Sequence, residues 1–332
     1  MQSRSLTCFL ISFALLTGAA LAQSQPPSAP APQTPNAPTP AQAQGPTFPP
    51  VNQANFTASA PSKADVDAFL HATWGYDENR VWEVYGVQKT AAPGVSKVIV
   101  LVAEKPNPQT ATFSFFVTPD GKHLIAQEQL LDFGPHPYDE ILHKLEQRAD
   151  GPSLGSKSKQ FLLVEFADFE CPHCKQAVPV VQRLVKDFPQ AHYVFENFPL
   201  VNIHPQAFRA AAYGQCVFQQ GGSDAFFKYS DSIFAGQEAL SGQGADQALR
   251  NSVTAAGMDP DKVTACSDST EAKNAVHASM QLGTDLNVDQ TPWLFIDGRG
   301  LPMLEIPYEQ LKKIVQWQFD QDKQAGGAAA GQ

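Results

Sequence analysis

The chain has 332 residues and 35.9 kDa, with 43% apolar and 17% charged residues, which fits about two domains and excludes wholesale disorder. Its formal net charge is −10; removing residues 1–22 leaves −11, with −5 on residues 63–150 and −6 on 151–332. Two acidic halves argue against nucleic acid or an anionic membrane surface as the main partner. Arg4 is the only charge in residues 1–22, an apolar run spans Cys8 to Leu16, and Ala20-Leu21-Ala22 offers small residues for a signal peptidase. This order reads as a secretory signal peptide cleaved after Ala22. The run is shorter than the ~20 apolar residues a membrane span needs, and Ser12, Thr17 and Gly18 interrupt it. The mature chain then keeps four cysteines, an even count suited to an oxidising compartment, periplasmic or secreted.

Residues 23–62 hold eleven prolines and no charge, the composition of a disordered, polyproline-like spacer. Residues 63–150 read as a small α+β domain. Ala64 to Thr73 forms a short helix with Val66, Phe69 and Leu70 on one face. Four strand-like runs follow, at Val81–Lys89, Ser96–Ala103, Ala111–Thr118 and His123–Leu131. Pro119-Asp120-Gly121 marks a hairpin turn. Pro137 to Arg148 reads as a helix with Ile141, Leu142 and Leu145 on its apolar side. His71, His123, His136 and His143 lack metal-ligand spacing, so no metal site is expected here.

A Gly/Ser/Lys-rich joint runs from Asp150 to Lys159, and a second domain from 151 to 324. Phe161-Leu162-Leu163-Val164 is the continuous apolar run of a central strand covered on both faces. A helix starts at Cys171 with Val178, Val181, Val185 and Phe188 as its apolar face. Pro179 lies inside it and is expected to kink the axis. Tyr193–Glu196 is a second strand. Residues 204–288 are helical, with glycines marking breaks. Trp293–Asp297, a turn at Asp297-Gly298, a short strand near Leu301–Ile306 and a helix from Pro307 to about Asp320 complete the domain. Residues 325–332 read as a disordered tail.

Cys171-Pro172-His173-Cys174 carries the chemistry. Two cysteines three apart at a first helical turn can close a small disulfide ring. The unpaired N–H groups and positive dipole end there favour a thiolate at Cys171, and Pro172 suits a position whose N–H has no partner. His173 can give the sulfur a hydrogen bond or a positive charge. Such settings lower a thiol pKa to between about 3.5 and 7.5, and a stabilised thiolate leaves readily, making the disulfide oxidising. Asp168 and Glu170 push the other way by repulsion. A zinc site needs a second ligand pair, and Cys216 and Cys266 stand alone in sequence.

The run Leu163-Val164-Glu165-Phe166-Ala167-Asp168-Phe169-Glu170-Cys171-Pro172-His173-Cys174 resembles the DsbA-like branch of the thioredoxin superfamily. So do Phe195-Glu196-Asn197-Phe198-Pro199-Leu200, His204-Pro205 and Thr291-Pro292-Trp293-Leu294-Phe295-Ile296-Asp297-Gly298, over about residues 160–320. The resemblance implies an α/β thioredoxin fold with an inserted helical subdomain, preceded by the small α+β domain. It makes Cys171 the exposed nucleophile and Cys174 the buried resolving thiol. Pro292 becomes a cis-proline facing the disulfide, and Thr291 offers backbone hydrogen bonds to a bound peptide. Glu165 stands where the superfamily places a buried acid that relays a proton to the resolving cysteine, a task suited by a raised pKa. His204, before Pro205, reads as a structural turn residue. Cys216–Cys266 reads as a structural disulfide of the helical insertion, as in similar relatives. No cofactor or metal is implied.

The activity implied is that of an exported thiol–disulfide oxidoreductase, foremost a DsbA-like oxidase. Its substrates are exported thiol-containing proteins, and a membrane redox partner restores it. A second reading rests on residues 63–150, which resemble the dimerisation module of DsbC- or DsbG-type isomerases, with Thr118-Pro119-Asp120-Gly121-Lys122-His123-Leu124-Ile125 similar to a hairpin there. It predicts a homodimer with isomerase or chaperone behaviour, although CPHC departs from the dipeptide usual in isomerases. A third is a non-enzymatic envelope binding module.

Overall fold

A computed structural model describes residues 46–107, 109–126 and 129–329; the signal peptide expected over 1–22 lies outside them. Two five-stranded sheets organise the chain. The first is an antiparallel meander, β1 (Arg80–Lys89), β2 (Ser96–Glu104), β3 (Thr110–Val117), β4 (His123–Ala126) and β5 (Gln129–Asp132). Helix α1 (Lys63–Trp74) covers one face and starts on a capping box, in which Ser62 and Asp65 bond each other's backbone N–H groups. Its Val66, Phe69 and Leu70 meet Val84, Val98, Val100 and Phe115 in a core of their own. The single run expected at His123–Leu131 is two strands, pairing Ala126 with Gln129 and His123 with Asp132.

Order begins before the boundary expected for the spacer. Thr57 N and Ala58 N both donate to Val87 O, at 3.0 and 3.1 Å, and Phe56 and Ala58 pack on the α1 core. One aromatic side chain in a polar stretch has no periodicity, so the sequence pattern missed this anchor. The first core thus recruits residues from the 23–62 stretch.

The second sheet runs β10–β9–β7–β8–β6, with β6 (Ser153–Gly155), β7 (Leu162–Ala167), β8 (His192–Asn197), β9 (Trp293–Ile296) and β10 (Arg299–Pro302). β7 lies parallel to β8 and antiparallel to β9. The joint expected at 150–159 holds β6, which pairs antiparallel with β8. The strand expected at Leu301–Ile306 is shorter and earlier, and Met303–Glu305 form a 3-10 turn. Asp297 and Gly298 make the β9–β10 turn, both with positive φ, 43° and 82°.

One face of this sheet is covered by α3 (Pro172–Asp187) and α8 (Tyr308–Ala329), the other by α2 (Asp139–Arg148) and α7 (Thr270–Asp285). Leu145 and Ala149 join Leu162, Val164, Phe166 and Leu282 in one core. Helix α2 therefore belongs to the second unit, and the boundary expected at 150 moves ahead of α2. Helix α3 continues through Pro179 to Asp187, burying Cys174, Ala177, Val181 and Leu184. Helix α8 extends to Ala329, through most of the tail expected to be disordered, and residues 330–332 lie outside the described residues.

The insertion holds α4 (Ala207–Ala235), a 3-10 turn at Gln237–Ser241, α5 (Ala245–Ala255), α6 (Pro260–Ser267) and α7. Helix α4 breaks at Gly222, where φ is 74°. Cys216 on α4 and Cys266 on α6 are joined by a disulfide, with Cα atoms 6.0 Å apart. The two units meet closely. Arg299 donates from Nη1 to Thr73 O at 2.9 Å and from Nη2 to Ala72 O, capping the end of α1. A Cβ on Gly75 would stand 2.4 Å from the Trp317 ring, so glycine lets α1 end against α8.

Candidate active site

Side chains alternate along β7. Leu163, Glu165 and Ala167 face α3, whereas Leu162, Val164 and Phe166 face α2 and α7. The chain then turns through Asp168, Phe169 and Glu170 and enters α3 with Cys171 as N-cap and Pro172 at the first helical position. Cys171 therefore sits at the positive end of a 16-residue helix. Cys174, one turn in, is 1% exposed, and both thiols are free.

The two sulfurs are driven apart in acidity. The Cys171 thiol is held down to about 5; hydrogen bonding from the Cys174 thiol is the largest cause, opposed by burial, then helped by the Thr291 side chain and the Cys174 and His173 N–H groups. The Cys174 thiol is pushed well above its ordinary value, first by burial, then by Cys171 and the charge of Glu165; Asp168 N–H, 3.4 Å from its sulfur, works against this. Glu165 is 4% exposed and burial pushes its carboxyl up to about 7, although the Tyr193 hydroxyl donates to Oε2. The Thr291–Pro292 peptide bond is cis, and Cys171 Sγ donates to Thr291 O at 3.4 Å.

The fold thus brings Cys171, Cys174, Glu165, Thr291 and Pro292 to one end of the second sheet. Three expectations change. Cys171 is not openly exposed: the residue is 4% accessible, and Gln237, from the insertion, donates to both Phe169 O and Cys171 O at 2.9 Å. His173 is exposed and bonds the sulfur through its backbone N–H. Asp168 and Glu170 are turned toward the β8–α4 loop. Asp168 accepts from Glu170 N and Leu200 N, both at 2.7 Å, and its Oδ2 lies 2.8 Å from His204 Nδ1; Glu170 accepts from Gln206 N. His204 thus serves the turn, tied to the redox loop.

Sequence reasoning missed Tyr193 and Gln237. Tyr193 shares the α3 side of the sheet with Phe195, so strand parity carried its signal; Gln237 lies 66 residues from Cys171 and carried none. A second buried carboxyl, Glu196, accepts from Ser279 Oγ and from Gly151 N at 3.0 Å, and burial pushes it up to about 7. Among the described residues, no group of three or more His, Cys, Asp or Glu side chains could hold a metal ion.

The relatives of this chain are partial. A Na(+)/H(+) antiporter NhaA 3 of Salinispora tropica is 38% identical over 86 residues, and the match spans 26% of this chain but only 13% of that protein. A probable disulfide bond formation protein D of Bacillus anthracis is 24% identical over 170 residues, 49% of this chain and 76% of that one. The crystal structure of Proteus mirabilis ScsC in a transitional conformation is similar with a TM-score of 0.47 and 17% identity, over 55% of this chain and 81% of that chain. The thioredoxin family profile matches residues 148–316, just over half of the sequence and the whole stretch from the end of α2 into α8 that holds both cysteines and the cis-proline; the chain belongs to the thioredoxin family.

Proposed function

We propose that the chain is an exported thiol–disulfide oxidoreductase that forms disulfides in periplasmic or secreted proteins, as a DsbA-like oxidase does. The observation that carries this reading is the split between an acidic Cys171 thiol and a buried, strongly basic Cys174. A substrate thiolate attacks Cys171 Sγ of the Cys171–Cys174 disulfide. The S–S bond breaks, a substrate–Cys171 bond forms, and Cys174 leaves with the electron pair and takes a proton, for which Glu165 is the buried donor. A second substrate thiolate attacks the substrate sulfur, Cys171 leaves as its stabilised thiolate, and the substrate is oxidised by two electrons. A membrane redox partner reoxidises the pair. Thr291 and Pro292 hold the substrate backbone against Cys171, and Pro172 and His173 shape the helix start. The probable disulfide bond formation protein D relative supports this direction. Signal cleavage after Ala22 places the chain outside the cytoplasm; among the described residues no helix is long and apolar enough to cross a membrane.

Trapping tests it. Cys174→Ala is expected to accumulate mixed disulfides with client proteins at Cys171, and Cys174→Ala/Cys171→Ser to accumulate none. Equal adducts in both sink the reading, as does a strongly reducing potential for the pair. A non-enzymatic binding module predicts client binding that survives Cys171→Ser.

A second reading, a dimeric isomerase or chaperone of the DsbC or DsbG kind, is favoured by one observation. Phe116 lies opposite Ile125, and Ile125 opposite Leu130, on the first sheet, and all three are exposed, at 41, 40 and 63%. Such a row on one face suits contact with a second copy. Light scattering on residues 23–332 is expected to give a dimer that Ile125→Lys returns to monomer; a wild-type monomer removes this reading.

A further inference from the structure

The carboxyl that faces Cys174 has one side-chain partner. Glu165 on β7 and Tyr193 on β8 stand on the α3 side of the second sheet, 4% and 1% exposed, and the Tyr193 hydroxyl donates to Glu165 Oε2. Burial holds the Glu165 carboxyl up to about 7, and this hydroxyl is the group that opposes it; among the described residues no basic side chain pairs with Glu165. Burial, then the charge and hydrogen bond of Glu165, then Cys174 push the Tyr193 hydroxyl well above its ordinary value, so it stays a donor at neutral pH. The other titratable groups on this side are Cys171 and Cys174 on α3. His173 is exposed, Lys175 is paired with Glu238, and Asp168 is held by His204. From β9 and α8 the same core draws Leu294, Leu311, Ile314 and Val315, none of which titrates.

We propose that Tyr193 is a positioning residue for the proton step: its hydroxyl occupies Oε2 of Glu165, leaves Oε1 to carry the proton that passes to Cys174, and sets the pH range in which that proton is held. The inference rests on the oxidoreductase reading and on Glu165 as its proton donor. A phenol has one proton to donate, and a carboxylic acid has one. With Oε2 already accepting from Tyr193, the proton of the acid stands on Oε1. When a substrate thiolate opens the Cys171–Cys174 bond, Cys174 leaves with the electron pair and takes that proton, and Glu165 is left as a buried carboxylate. A buried ion is costly unless it is hydrogen-bonded, and Tyr193 is in place to bond it. A hydrogen bond to a charged group extends its ionised range by about one to two pH units. Without Tyr193 the carboxyl would keep its proton well into the alkaline range.

The test uses the full mature chain, oxidised beforehand with oxidised glutathione and mixed in single turnovers with dithiothreitol from acid to alkaline pH, each rate divided by the dithiothreitol thiolate present. The oxidised pair has no thiol to titrate, so the rate is expected to fall as pH rises through the Glu165 value of about 7. Glu165→Gln is expected to abolish that fall. Tyr193→Phe keeps the ring and loses the donor; its midpoint is expected about one to two pH units higher, and in the Glu165→Gln background it leaves the profile flat. Fluorotyrosine in place of Tyr193, a stronger donor of nearly the same shape, is the independent arm and is expected to lower the midpoint. A midpoint unmoved by both replacements, or a Tyr193→Phe rate lowered equally at every pH, overturns the positioning role and leaves the residue as packing. The levels of argument separate. If the oxidised wild-type chain fails to oxidise dithiothreitol, the exchange reading falls and Tyr193 with it. If it does oxidise it but Glu165→Gln keeps the fall with pH, Glu165 falls as the donor and Tyr193 with it. If Glu165→Gln loses the fall while Tyr193→Phe keeps the wild-type midpoint, only the role of Tyr193 falls.

Discussion

Titration of the reduced chain is expected to show Cys171 ionising with a midpoint near pH 5, read by thiolate ultraviolet absorbance and by the rate of iodoacetamide labelling. A thiol in a flexible peptide ionises near 9.0, and the folded site holds this one at about 5. The sign follows from which state keeps the proton. A depressed folded pKa stabilises the folded reduced chain fully above the unfolded value, and that stability is lost as pH falls through the folded value. Between pH 5 and 9 each pH unit is worth about 1.4 kcal/mol. At pH 7 the thiolate therefore contributes about 3 kcal/mol to the reduced form. The disulfide form has no thiol to titrate, so the gain falls on one side of the redox couple. It corresponds to a potential about 60 mV more oxidising than that of the same pair with an ordinary Cys171. Thermal melts of the reduced and oxidised chains are expected to diverge from pH 5 toward 8 in favour of the reduced form. Cys174→Ala removes the largest cause of the shift and is expected to move the midpoint upward. A midpoint near 9, or a difference in melting that stays flat over this range, contradicts the thiolate account.

How far the sequence carries depends on whether a feature is local. CPHC sits at a helix start because Cys171 can end a loop and Pro172 can begin a helix without losing a hydrogen bond, and both facts lie in adjacent residues. The unbroken apolar run of β7 announced burial on both faces, and parity along it placed Glu165 on the α3 side. Partners distant in the chain left no such mark. Periodicity shows that 137–148 forms a helix with an apolar face but not which sheet that face meets; Leu145 and Ala149 meet the second sheet, not the first. Asp168 and Glu170 looked like repulsive charges beside a thiolate. Only the fold reveals that the β8–α4 loop supplies the Leu200 N–H and the His204 imidazole that hold Asp168. Three-residue β6 and the anchor at Phe56 are too short for a period of two to register. Gln237, which bonds the Cys171 carbonyl across 66 residues, is invisible to any local pattern.

That same glutamine ties the remaining large effect to the active site. Cys216–Cys266 closes a loop with a sequence separation of 50, and Gln237 lies inside it. In the chain-entropy account, opening a loop of this size costs ~4 kcal/mol by freeing the unfolded chain. Cys216→Ala/Cys266→Ala also empties part of a packed site, because Cys216 is fully buried between α4 and its neighbours. Urea unfolding of the double variant is expected to show a loss of about 4 kcal/mol or somewhat more. On the α2 face of the second sheet, Leu162, Val164, Phe166 and Phe295 keep a core that α4, α5 and α6 do not enter, so the loss is expected to appear first as faster hydrogen exchange in α5 and α6, with β7 and β9 still protected. As the insertion loosens, the two 2.9 Å bonds from Gln237 to Phe169 O and Cys171 O weaken, and the sulfur beneath becomes easier to reach. The reduced double variant is therefore expected to be alkylated faster at Cys171 than the wild type, while its ionisation midpoint stays near pH 5, because Cys174, Thr291 and the α3 N–H groups that set it lie outside the loop. A stability loss below about 1 kcal/mol counts against the bridge as the staple of the insertion, and unchanged alkylation counts against Gln237 as the cover of the site.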